Sequence, residues 1–135
     1  MTGAIIGDVI GSRFEFDNCK SKDFNLFDRE CDFTDDSVMT LAVAKALLPY
    51  DKISDYNAFR TELVSVMHEV GMRYPLCGYG GRFLVWMMRN QTEPYNSFGN
   101  GSAMRVSSVA WLFDDLDMVR HMARLSAEVT HNHPE

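Results

Sequence analysis

The chain has 135 residues, 46% hydrophobic and 24% charged, which suits one globular domain and excludes both a disordered segment and two full domains. Its formal net charge of −6 gives no basic footprint, so no nucleic acid and no anionic membrane is expected as a partner. Three cysteines, Cys19, Cys31 and Cys77, form no CxxC pair; this argues against a disulfide framework and a structural zinc site and fits a reducing, cytoplasmic setting.

The opening MTGAIIGDVIG carries Asp8 inside its apolar run and has no charged n-region, so it does not read as a signal peptide. No stretch approaches the ~18 apolar residues of a membrane span. Gly3, Gly7 and Gly11 recur every fourth position, the stripe of a buried helix packed closely on a neighbour. A charged loop follows over roughly residues 17–32. SVMTLAVAKALL, residues 37–48, is apolar around most of its circumference and ends at Pro49, which predicts a core helix. Ser54 or Asp55 caps a third helix, with Phe59, Leu63, Val66 and Val70 on one face and Gly71 as its stop.

YGGRFLVWMMRN predicts a fourth helix, on which Tyr79, Phe83 and Trp86 share a core-facing side. GSAMRVSSVAWLF predicts a fifth, opening at Gly101. A sixth starts at Asp114 and Asp115 and aligns Met118, Met122, Leu125 and Val129. With no period-2 strand, the expected fold class is all-α, a compact orthogonal multi-helix packing in a single domain over residues 1–135.

Four stretches carry chemistry. In FTDDSVMT, Thr34, Asp35 and Asp36 either cap a helix or offer hard oxygens to a divalent cation, since adjacent carboxylates repel without one. Glu15, in GSRFEF, is a solvated loop acid or a further oxygen for the same cation. SFGNGSAMRV sets glycine, asparagine and serine before an apolar helix, where turn amides can cradle an anion; it has neither the lysine of a P-loop nor a preceding strand. His131 and His133 of THNHPE stand at i, i+2, which separates them on a helix, so ligand hydrogen bonding is favoured over joint metal binding.

In combination and order, GAIIGDVIGSRFE, FTDDSVMTLAVAKAL, YGGRF, SFGNGSAMRVSSVAWLF and SAEVTHNHPE closely resemble the ADP-ribosylglycohydrolase family, of the dinitrogenase reductase-activating glycohydrolase type. The resemblance runs from Gly3 to the last residue. It implies an all-α fold with two Mg²⁺ ions (Mn²⁺ being possible) and hydrolysis of ADP-ribose from protein side chains, commonly arginine, or from related ADP-ribosyl compounds. It implies Thr34, Asp35, Asp36 and Glu15 as metal ligands, with Glu15, Asp35 and Asp36 catalytic. Gly99, Asn100, Gly101, Ser102 and Met104 would line the ADP-ribose site, with His131 and His133 contacting the ligand.

One departure shapes the expectation. The family carries a second acidic segment of Asp-x-Asp-Thr type, and the late acids Asp114, Asp115 and Asp117 beside WLF do not match it. The chain is therefore expected to be the N-terminal half of such an enzyme, with an under-coordinated metal pair and apolar faces that a homodimer could cover. The competing expectation is a catalytically inactive ADP-ribose-binding or assembly module.

Overall fold

The computed structural model describes residues 1–49 and 55–134; the alternative cap Ser54 lies outside them. Among the described residues the secondary structure is entirely helical, in seven α-helices: α1 (Thr2–Gly11), α2 (Asp35–Leu47), α3 (Tyr56–Arg73), α4 (Gly81–Met88), α5 (Gly101–Met104), α6 (Val109–Leu112) and α7 (Leu116–Glu128). The all-α expectation holds. None of these helices is long and apolar enough to cross a membrane.

The apolar run after the Asp pair forms the central element. Val38, Met39, Ala42, Val43, Ala46 and Leu47 of α2 are buried, and α2 packs most extensively on α3 through Phe59, Leu63, Val66 and Met67. Asp55 caps α3 by accepting from the Asn57 and Ala58 amides, both at 3.0 Å. Met122, Leu125 and Val129 bring α7 against the same core, and Asp115, rather than Asp114, caps it through the Met118 amide at 2.8 Å. Tyr79, Phe83 and Trp86 follow one another at ring separations of 5.4 and 5.5 Å. The Trp86 indole is fully buried and donates to the Glu93 carbonyl at 2.9 Å.

Three expectations need correction. Helix α1 is not buried: a Cβ on Gly3, Gly7 or Gly11 would meet nothing within 4 Å. No described element lies on the glycine stripe, and α1 is joined to α2 by the polar side chain of Asp8 instead. Gly71 does not stop α3, which runs on to Arg73. It is a close-approach position, where a Cβ would sit 2.2 Å from the Met87 sulfur and 3.3 Å from the Met39 methyl. The fifth helix is broken into α5, a 3₁₀ turn at Val106–Ser108, and α6. The Thr40 hydroxyl donates to the Met104 carbonyl at 3.3 Å, the acceptor that a continuous helix would use for the Ser108 amide.

Candidate active site

The sequence signature at Thr34 works first as a cap. Thr34 is extended and its hydroxyl oxygen accepts from the Asp36 amide at 3.3 Å. A second cap arrives from α1. Asp8 accepts from the Thr34 amide at 2.9 Å, the Thr34 hydroxyl at 2.5 Å and the Ser37 amide at 3.1 Å. One carboxylate thus satisfies two amides at the mouth of α2 and fixes α1 across it. Sequence reasoning used Asp8 only against a signal peptide. Its signal was visible all the same, since it is the one charged residue in GAIIGDVIGS.

Beyond the cap, the paired aspartates diverge. Asp35, anchored by its amide to the Cys77 carbonyl at 2.8 Å, lines a cavity of about 340 Å³ whose wall includes Gly99, Asn100, Gly101, Met104, Arg105 and His131. Asp36 lines a second hollow of about 430 Å³ with Asp8, Glu15, Thr34, Asn100 and Met104. Glu15 follows a 3₁₀ turn at Ser12–Phe14, so its exposed side chain borders the same hollow as Thr34 and Asp36, close enough for its charge to reach Asp35. Ser102 and His133 line neither cavity; the His133 ring lies 5.5 Å from Phe98, which is on the rim of the first.

The acids raise one another. Burial, then Asp36, and more weakly Glu15 and Asp8, push Asp35 up to about 6, against the lowering effect of its own amide. Asp36 is raised by burial and by Asp8, with the Thr34 hydroxyl opposing. Among the described residues no Lys, Arg or His lines the second hollow. In atom type and charge this donor set fits a hard divalent cation. In closeness it is open: among the described residues no three His, Cys, Asp or Glu groups converge enough to hold an ion, so water would complete any coordination.

The glycine turn separates the two cavities. The Ala103 and Met104 amides return to the Asn100 carbonyl at 2.9 and 3.1 Å, which closes the short α5 and leaves Gly101, its first residue, on the wall of the first cavity. The Ser97 amide donates to the Thr130 carbonyl at 3.1 Å and ties this loop to the end of α7. His131 stands beside Gly101, with Cε1 3.5 Å from where a Cβ would be. Burial lowers its pKa, as does the Arg105 charge, and the Gly99 backbone works the other way.

The all-α fold, with its acid-capped central helix and glycine-asparagine turn, agrees with the fold class that the sequence resemblance implied. The chain belongs to the ADP-ribosylglycohydrolase family, whose model matches residues 1–135. Among curated relatives it is 27% identical over 164 residues to the mouse ADP-ribosylhydrolase ARH3, covering 97% of this chain and 42% of that protein. It is 30% identical over 156 residues to the Xenopus tropicalis ARH3, covering 97% and 43%. Human ARH3 is 30% identical over 116 residues, or 73% and 30%. The chain therefore spans less than half the length of the relatives it matches.

Proposed function

We propose that this chain carries the acid cluster and ADP-ribose cradle of a metal-dependent hydrolase that removes ADP-ribose from modified protein side chains, arginine first, or from related ADP-ribosyl compounds. One observation carries the reading. Asn100 and Met104 border both cavities, so a ligand held at the turn reaches the carboxylates on either side. Thr34, Asp35, Asp36 and Glu15 would hold Mg²⁺ or Mn²⁺, with Asp8 bracing Thr34 from behind. When bound, such an ion supplies Lewis acidity and makes water more nucleophilic at neutral pH.

The chain's own groups have separable tasks. Amides of Asn100 and Gly101 would take the diphosphate, with Gly99 lining the cavity and Ser102 just behind the turn, and Met104 would form the wall between the cavities. Asp35, pushed up to about 6 by burial and its acidic neighbours while no cation is bound, would be held ionised by the cation and would stabilise positive charge developing at the glycosidic bond. Glu15, exposed at the hollow's edge, would position or activate water. His131 would donate to the ligand, with His133 at the rim beside Phe98.

The test is release of free ADP-ribose from an ADP-ribosylated arginine peptide by the purified chain in Mg²⁺. Loss of that release in Asp36→Asn supports the assignment, and equal release from a variant lacking all three of Glu15, Asp35 and Asp36 overturns it. A second reading, an ADP-ribose-binding module without turnover, is favoured by the open spacing of the acids; it is selected by binding without release. Self-association through the open face of α1, where Ile6 is exposed, is a further part of the proposal. A monomer in sedimentation at assay concentration would remove it.

A further inference from the structure

Arg105 is the largest charged side chain in the interior, 1% exposed, and no described carboxylate pairs with it. Burial lowers its pKa to about 10, so it remains charged at neutral pH. Its Nη2 donates to the Ser126 carbonyl at 3.0 Å and to the Thr130 hydroxyl at 2.8 Å. Thr130 Oγ1 lies in turn 2.7 Å from His131 Nδ1.

The hydroxyl has one proton and two candidate acceptors. The Ala127 carbonyl is 3.5 Å away and already receives the Thr130 and His131 amides at 3.1 and 2.8 Å. His131 Nδ1 is nearer, at 2.7 Å. With Arg105 donating into Oγ1, the hydroxyl proton goes to Nδ1, so the ring proton must sit on Nε2. Nε2 is buried and makes no hydrogen bond of its own, with the Gly99 backbone beside the ring; it lies 3.8 Å from where a Gly101 Cβ would be, on the wall of the Asp35 cavity.

We propose that Arg105 is a positioning residue: acting through the Thr130 hydroxyl, it holds His131 as the neutral Nε2–H tautomer and presents that proton to the cavity beside Gly101. Use of that donor by ADP-ribose rests on the function proposed above. A neutral donor of fixed direction discriminates an oxygen acceptor on the ligand by geometry rather than by charge. Protonation of Nδ1 would set a second proton against the Thr130 hydroxyl that Arg105 orients.

Long-range ¹H–¹⁵N NMR of the histidine rings in the ligand-free chain tests this, with His131 assigned by His131→Gln. Wild type should show an unprotonated Nδ1 and a protonated Nε2. Thr130→Val should give a mixture of tautomers, Thr130→Ser should restore the single form, and Arg105→Leu should match Thr130→Val. A protonated Nδ1 in wild type, or an unchanged spectrum in folded Thr130→Val, overturns the proposal. If Arg105→Leu fails to fold, the wild-type and Thr130 spectra decide alone. ADP-ribose affinity should fall about fivefold in Thr130→Val and recover in Thr130→Ser. The Nε2–H form in a wild type that binds no ADP-ribose would sink the functional reading and leave the positioning role standing. Tight binding with Nδ1–H would do the reverse.

Discussion

Replacing Asp35 with Asn should stabilise the chain in EDTA at about pH 7.5, although it deletes a charge from the first turn of a helix, where anions are normally favoured. The folded carboxyl titrates near 6 against a reference of 3.8, a gap of about 2 units or about 3 kcal/mol at 1.36 kcal/mol per unit. The group is only half-buried, so solvent screening reduces this to about 1–1.5 kcal/mol. A raised acid pKa means that the folded state binds the extra proton. Ionised Asp35 therefore destabilises the fold fully above pH 6, and the penalty fades as pH falls from 6 towards 4. At about 2.1 cal/mol/K per residue over 135 residues, the gain corresponds to a Tm increase of about 4 °C. Calorimetric melts of wild type and Asp35→Asn at several pH values check it. Millimolar Mg²⁺ should shrink the difference by stabilising the wild type. A gain equal at all pH values, or a loss at about pH 7.5, would refute the idea that like charges crowd this site.

Other expectations follow from the packing. Gly71→Ala should destabilise by about 1 kcal/mol in urea melts, since overpacking against Met87 and Met39 exceeds the helix-propensity gain. Gly3→Ala and Gly7→Ala should be neutral or stabilising by up to about 1 kcal/mol each, because the stripe is open; marked destabilisation would mean that a partner surface covers α1. Asp8→Ala should cost about 1–2 kcal/mol through lost capping of α2 while lowering the Asp36 carboxyl pKa, readable by NMR titration, since Asp8 is second only to burial in raising it.

Helices that bury one face were legible, because burial imposes the period that Phe59, Leu63 and Val66 display. What failed were inferences about what lies opposite a face. The Gly3–Gly7–Gly11 stripe says that a backbone could approach, not that one does. Gly71 reads as a stop only until Met87 is seen against it. The break after Met104 depends on Thr40, sixty-four residues away in sequence, and no local pattern encodes it. At the site, the sequence expectation joins Glu15 to the Thr34–Asp36 triplet on one cation; Glu15, Thr34 and Asp36 do border one hollow, through the 3₁₀ turn after α1, whereas Asp35 faces the other cavity. The splitting of Asp35 and Asp36 between two cavities follows from their adjacent positions on a helix, about 100° apart. Arg105 gave no sign at all, since its role lies in contacts with the end of α7.

The most direct measurement is calorimetric titration of the purified chain with ADP-ribose, with and without Mg²⁺. Saturable binding that tightens in Mg²⁺, and loses that Mg²⁺ dependence in an Asp35→Asn, Asp36→Asn double variant, is the expected result. Absence of binding in both buffers by a folded chain, or binding indifferent to the ion and to both aspartates, would contradict a shared acid and ADP-ribose site.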